Sequence, residues 1–123
     1  MEITYGELYG LRDSLFKILK VEIRAGTGIQ LAKLASVLQP EIQLIFEARN
    51  KLVEKYGTEI EGVKQVVENG QTWVEFSREV GELFSTRTKI DCNRIKLPSD
   101  LVISPEILLE LREFVEVEEE EGN

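Results

Sequence analysis

The chain has 123 residues, the size of a single domain, and 42% of them are hydrophobic, which is enough for one modest core. Its net charge of −8 argues against a nucleic-acid binder and against docking on an anionic membrane, because both need a surplus of basic side chains. It has no histidine and one cysteine, Cys92, which excludes a histidine base, a histidine metal ligand and an intrachain disulfide.

Several kinds of functional motif are missing from the sequence. No phosphate-binding loop, paired-cysteine zinc spacing or nucleophile elbow is present. We therefore predict no enzymatic activity, no cofactor and no metal site. No apolar run approaches 18 residues and no signal peptide is visible at the N-terminus, so we expect a cytoplasmic protein without a membrane span.

The first predicted element is a helix that begins after Thr4 and ends near residues 20–24. Thr4 and Glu7 have the capping-box spacing. Helical periodicity follows at Leu8, Leu11, Leu15 and Leu19. Gly6 and Gly10 lower the helix propensity but permit the close approach of another helix. The next stretch, "AGTG", is predicted to be a turn, with Thr27 as the cap of the following helix.

The second helical region contains a heptad series that continues through Pro40. Its members are Leu31, Ala35, Leu38, Ile42, Ile45, Arg49, Leu52 and Tyr56. Because steps of four and three residues alternate without a break, the series favours one helix over about 28–56, bent near Pro40. The alternative is two helices that meet at Gln39, with Pro40 in the first position of the second helix.

Arg49 is the one charged residue in this heptad series. A guanidinium at a core position must either extend to water along its aliphatic stem or pair with a carboxylate or a partner surface, and the sequence leaves both arrangements open. At the end of the helix, Lys51 and Lys55 complement the helix dipole. Gly57 is predicted to stop the helix in a left-handed conformation.

The following region predicts a strand–helix–strand unit. Residues 63–67 are β-prone and end at Asn69 and Gly70, residues 72–86 have helical periodicity, and residues 88–96 predict a second strand that pairs with the first. The second strand carries the only locally basic segment of the sequence. Its members are Arg87, Lys89, Arg94 and Lys96. They form either a solvated strand face or a site for an acidic partner.

A C-terminal helix is predicted after Ser104, which is a good N-cap, with Pro105 in the first helical position. Ile107, Leu108, Leu111, Phe114 and Val115 form its apolar face. Five of the eight residues at 116–123 are glutamates, so we predict a single domain over 1–115 and an acidic disordered tail over 116–123. The predicted fold is therefore mainly α (α+β), with a bent antiparallel helical hairpin, the strand–helix–strand unit and this last helix.

Three segments resemble a family of small uncharacterised proteins of tailed phages and prophages of Gram-positive bacteria. They are "LAKLASVLQPEIQLIFEARNKLVEKYG", "WVEFSREVGELF" and "IKLPSDLVISPEILLELREF". The family has an E-A-R-x-x-L-x-x-K-Y-G-like segment, which here begins at Glu47 and ends at Gly57. The resemblance implies a phage origin and this fold, and it implies no catalytic residues. The β-prone "VKQVVENGQ" run is longer here than in the family.

These observations predict a non-enzymatic phage protein that acts by protein–protein contact in the cytoplasm of the infected bacterial host. The preferred role is an accessory protein or chaperone in virion or tail assembly, which binds a phage structural protein or self-associates through the long helix. One alternative is a small inhibitor of a host defence or replication protein, and another is a nucleotide-binding sequesterer. The candidate partner-binding residues are Arg49, Tyr56, Ile42, Ile45, Arg87, Lys89 and Arg94.

Overall fold

The computed structural model describes residues 1–118 and confirms a mainly α fold with small sheets. The helices are α1 (Tyr5–Gly10), α2 (Arg12–Ile18), α3 (Ala25–Tyr56), α4 (Trp73–Ser85) and α5 (Pro105–Glu110). The strands are β1 (Glu2–Thr4), β2 (Thr58–Ile60), β3 (Val63–Gln65), β4 (Arg87–Lys89), β5 (Ile95–Leu97) and β6 (Val115–Val117). Among these residues the strands form three separate two-stranded sheets, and α3 packs against α1, α2, α4, β3 and β5.

The N-terminal helix begins where its capping residues predict. The Thr4 hydroxyl accepts a hydrogen bond of 3.1 Å from the Glu7 backbone N–H. The predicted single helix is interrupted at Leu11, where ψ is 2°, so that it forms α1 and α2. Only Gly6 mediates the close helix contact expected of both glycines. A β-carbon at Gly6 would lie 3.0 Å from the Phe84 β-carbon, whereas one at Gly10 would meet no neighbouring atom within 4 Å.

Helix α3 is a single helix of 32 residues that contains Pro40. The missing N–H of Pro40 leaves the carbonyl of Ser36 without its helical donor, and both residues are exposed, so water can bind this carbonyl. The helix begins at Ala25, and the prediction of a turn at "AGTG" with Thr27 as a cap was wrong. The N–H of Gly28 already bonds the carbonyl of Arg24 over 2.9 Å, because extending a long helix by one turn gains hydrogen bonds that outweigh the poor propensity of glycine.

The predicted heptad series is the inward face of α3. Leu31, Ala35, Leu38 and Ile45 are buried, and Leu38 is fully inaccessible to solvent. The helix ends at Gly57 as predicted, but the backbone there is extended, with φ −80° and ψ 157°, and is not left-handed. Gly57 is instead required by close packing, since a β-carbon would overlap the Val53 carbonyl and lie 3.2 Å from the Gln65 carbonyl oxygen.

The predicted strand pairing was wrong. The segment predicted at 63–67 contributes β3, which pairs with β2 in an antiparallel hairpin, so that neither pairs with the 88–96 segment. The 88–96 segment itself contributes residues to two short strands, with a loop between them. Strand β4 pairs antiparallel with β1 at the N-terminus, and β5 pairs in parallel with β6. The helix predicted at 72–86 is confirmed as α4.

The C-terminal helix is capped as predicted, because the Ser104 hydroxyl accepts a bond of 3.3 Å from the Glu106 N–H and Pro105 occupies the first turn. Helix α5 then connects the parallel strands β5 and β6 in a small β–α–β unit. The predicted disordered tail was wrong for its first three residues. Glu116 and Val117 belong to β6, and the N–H of Glu118 donates to the Leu97 carbonyl over 2.8 Å. Residues 119–123 of that tail lie outside the described residues.

The core is shared by elements from both ends of the described chain, whereas the β2–β3 hairpin contributes no buried residue. The fully buried side chains of the core are Leu8, Leu15, Ile18, Leu38, Ile45, Leu97, Leu111 and Phe114. They come from α1, α2, α3, β5 and the end of the chain around α5, so the C-terminal strand unit and the N-terminal helices share one apolar interior.

Candidate interaction surface

The predicted partner-binding residues of α3 lie on its inward face. Ile45 is only 2% exposed and Ile42 is half-buried against the core cluster. A partner therefore cannot reach Ile45 in this fold. The heptad series serves the core of the chain itself, and self-association through it would require the domain to open.

Arg49, the charged member of that series, is half-buried. Within residues 1–118, no carboxylate oxygen lies within 4.0 Å of its guanidinium. This geometry favours the arrangement in which the aliphatic stem is buried and the guanidinium extends to water. It does not support a buried ion pair.

Tyr56 belongs to an aromatic cluster at the junction of α3 and α4. Its ring lies edge-on to Phe76, with centroids 6.5 Å apart, and Trp73 lies 6.0 Å from Phe76. The Thr72 hydroxyl donates a hydrogen bond of 2.8 Å to the Tyr56 carbonyl oxygen. This cluster fixes the start of α4 against the end of α3, so Tyr56 has a structural role.

The polar edge of this cluster is a contact between Lys55 and Glu79. The Lys55 ammonium lies 3.6 Å from Glu79 Oε2 and 5.0 Å from the Tyr56 ring centroid. Glu79 Oε2 has no hydrogen bond of regular geometry within residues 1–118. The nearby Tyr56 hydroxyl, and then the charge of Lys55, lower the pKa of Glu79. Tyr56, and then the charge of Glu79, raise the pKa of Lys55.

The basic residues predicted to contact an acidic partner have two different environments. Arg87 and Lys89 are exposed on β4, where Lys89 lies opposite Glu2 of β1. Arg94 instead binds within the chain. Its Nε and Nη2 donate to the Arg112 carbonyl oxygen over 3.1 and 2.6 Å, and its Nη1 lies 3.2 Å from the Glu116 carboxylate. Arg94 therefore ties the end of α5 and the start of β6 to the segment before β5.

The outward face of α3 carries an apolar stripe that the heptad analysis did not identify. We call Ile29, Val37, Pro40 and Leu44 the outer stripe, because they fall within an arc of about 80° on the side of the helix opposite the core. Leu44 is 60% exposed, Ile29 58% and Val37 37%. The signal for this stripe in the sequence is the spacing of Ile29, Val37 and Leu44 at steps of eight and seven residues.

A groove borders the outer stripe. It has a volume of about 350 Å³ and lies between α3 and the loop from β4 to β5. Val37 lines its edge, and Leu34, Cys92 and Ile95 contribute further apolar surface. Cys92 is half-buried in this loop, and burial raises the pKa of its thiol.

The hairpin of β2 and β3 exposes its apolar face. Ile60 lies opposite Val63 and Glu59 lies opposite Lys64 in the register, so the apolar pair and the charged pair occupy opposite faces. The Lys64 ammonium lies 3.8 Å from the Glu54 carboxylate on α3, which places the charged face towards the helix. Ile60 and Val63 remain 39% and 57% exposed. A sheet that packs on a helix normally has the reverse arrangement.

The chain was compared with protein-family models, with curated proteins and with solved structures. None of the three comparisons found a match. Within residues 1–118, no cluster of three or more acidic or cysteine side chains forms a metal-binding group, and no helix is both long and apolar enough to span a bilayer. The hairpin and the outer stripe are two exposed apolar surfaces of the described residues.

Proposed function

We propose that the protein is a non-enzymatic, phage-encoded accessory protein or chaperone that binds a virion or tail protein in the cytoplasm of the infected bacterium. The observation that carries the binding role is the outward apolar face of the β2–β3 hairpin, with Ile60 and Val63 exposed in a cross-strand pair. The phage origin is supported by the resemblance of the three sequence segments described above.

The energetics of the hairpin favour a partner that covers it. A two-stranded sheet is marginally stable in water unless an apolar face is buried, and here all six strand residues are exposed. Val67 and Val74, which follow in the chain, are also 50% and 72% exposed. Apolar surface of this kind marks protein contacts. The proposed partner presents an apolar patch or an extended segment that pairs with the free edge of the hairpin.

The hairpin is also pre-organised for binding. Glu61 and Gly62, at its tip, have φ values of 51° and 81°, as a tight type I′ turn requires. The residue before its base, Gly57, packs closely against Gln65, and Tyr56 is held by Thr72. Because these contacts fix the turn and the base of the hairpin, a partner has to order only the strands between them, which lowers the entropic cost of binding.

Co-expression with the structural proteins encoded in the same phage genome tests this proposal. The wild-type chain should co-purify with one of them, or increase the yield of assembled particles. The double variant Ile60→Ser, Val63→Ser should lose this effect, whereas Glu59→Ser, on the opposite face, should retain it. Circular dichroism spectra should show that both variants remain folded.

Wild-type levels of assembly with the double variant would refute the proposed role of the hairpin. Capture of a host replication or defence protein, with assembly unaffected, would indicate the inhibitor that the sequence leaves as an alternative. The acidic surface of the chain, with its net charge of −8, would then face a basic site on the host protein.

A further inference from the structure

We infer that two copies of the chain associate through the outer stripe, with their α3 helices antiparallel and a two-fold axis beside Pro40 and Glu41. This surface lies on a different element from the hairpin, so the inference is independent of the proposed function. It also differs from self-association through the heptad series, which is buried in the core.

Two apolar residues of the outer stripe, Val37 and Leu44, lie symmetrically about one point on α3. In an antiparallel pair with a two-fold axis, a residue of one copy lies opposite the residue of the other copy that is equally far along the helix from the axis, in the other sequence direction. Val37 and Leu44 lie about 10.5 Å apart along the helix and their midpoint is between positions 40 and 41. Such an axis therefore sets Val37 of each copy against Leu44 of the other, and the two exposed side chains are covered together.

Two residues of opposite charge on α3 are arranged about the same axis. Lys33 and Glu47 are exposed, lie on the same side of α3 as the outer stripe, and have their midpoint at Pro40. The two midpoints differ by less than about 1 Å along the helix. The axis that pairs Val37 with Leu44 therefore brings Lys33 of each copy beside Glu47 of the other, and two opposite-charge pairs flank the apolar contact.

The polar side chains between these residues, Ser36 and Gln43, are already bonded within the chain. The Ser36 hydroxyl donates to the Lys33 carbonyl oxygen over 2.7 Å, and the Gln43 amide donates to Glu47 over 3.2 Å. Covering the stripe therefore leaves neither side chain without a hydrogen bond. Pro40 at the axis has no N–H to satisfy, but the contact must leave the Ser36 carbonyl, which lacks its helical donor, open to water.

The groove beside the stripe gives the contact additional depth. Leu44 of the second copy would lie next to Val37, at the mouth of the groove that Leu34, Cys92 and Ile95 also line. We infer a second copy as the partner because the apolar pair, Val37 and Leu44, and the charged pair, Lys33 and Glu47, share one midpoint on α3. Binding of an unrelated protein would not require this symmetry.

A charge exchange tests the inference. Lys33→Glu alone places two glutamates opposite each other, and Glu47→Lys alone places two lysines opposite each other. Each variant should dimerise about tenfold more weakly than the wild type in sedimentation velocity. An equimolar mixture of the two variants should restore dimers, because each contact then joins a glutamate to a lysine. Residues 33 and 47 are about 21 Å apart in one helix, so no contact within a chain can produce this recovery.

A second pair of variants tests the apolar contact. Leu44→Ser should abolish the dimer, whereas Phe46→Ser should not, since Phe46 is 42% exposed but is rotated by about 200° around α3. The hairpin variant Ile60→Ser, Val63→Ser should dimerise as the wild type does. A wild-type chain that remains monomeric at about 1 mM, or a mixture of charge variants that associates no better than each alone, would overturn the inference.

Discussion

Replacing Gly6 with alanine tests how closely α1 packs against α4. The added methyl carbon would lie 3.0 Å from the Phe84 β-carbon and 3.1 Å from its carbonyl oxygen, whereas ordinary contacts between carbon atoms are about 3.5–4.0 Å. The helices must therefore separate by about half an ångström or more, and overpacking of this kind costs about 1–3 kcal/mol. Alanine also gains up to about 1 kcal/mol in helix propensity, so the expected net loss of unfolding free energy is about 0–2 kcal/mol.

Gly10→Ala in the same helix is the matched control. No atom lies within 4 Å of its added carbon, so only the gain in propensity remains and the variant should be equal to the wild type or more stable. Urea unfolding followed by circular dichroism should separate the two variants by about 1–3 kcal/mol, or about 1 M in midpoint for a slope of about 2 kcal/mol per M. Equal midpoints for the two variants would show that α1 and α4 are not in tight contact at Gly6.

Three further predictions concern the core, the C-terminal unit and pH. Leu38→Ala should lower the unfolding free energy by about 2–5 kcal/mol, whereas Leu44→Ala should change it by less than about 0.5 kcal/mol at low protein concentration. Similar losses in the two variants would contradict the assignment of the inward and outward faces of α3. Arg94→Ala should cost about 1–2 kcal/mol in urea unfolding and Lys96→Ala almost nothing, because only Arg94 bonds the end of α5. The lowered pKa of Glu79 contributes stability that is fully present above about pH 4.5 and is lost as the pH falls through the folded pKa. Glu79→Gln should therefore lose less unfolding free energy than the wild type on acidification below that pH. The same dependence of unfolding free energy on pH in both proteins would contradict this.

The elements that sequence reasoning located correctly depend on local chemistry or on long periodic patterns. Thr4 and Ser104 cap helices through bonds to residues two or three positions away, so their roles can be seen in a short window. The heptad series of α3 is long enough to outweigh one proline. Because apolar members of the series lie on both sides of Pro40, as Leu38 and Ile45 do, the series favours a single helix, and the structure has one.

The errors arose where distant residues decide the conformation. Three-residue strands have no measurable periodicity. Strand β4 pairs with β1, which lies far away in the sequence at the N-terminus. The conformation of Gly57 depends on its contact with Gln65, which cannot be deduced from the helix alone. The candidate surface was missed for a related reason. Periodicity identifies the strongest apolar face of a helix, which is normally its core face, and the outer stripe at Ile29, Val37 and Leu44 gives a weaker signal.

The position of the 87–97 segment constrains the order in which the chain folds. Helix α3 contains only local hydrogen bonds and can form early, but β4 and β5 must find partners on opposite sides of the sequence. Joining β5 to β6 closes a loop of 17 residues, whereas joining β1 to β4 closes one of 82. For a flexible chain the longer loop costs about 1.4 kcal/mol more in entropy. The β–α–β unit should therefore form before the N-terminal strand is fixed, and a nascent chain cannot complete its core until Phe114 and Val115 have left the ribosome.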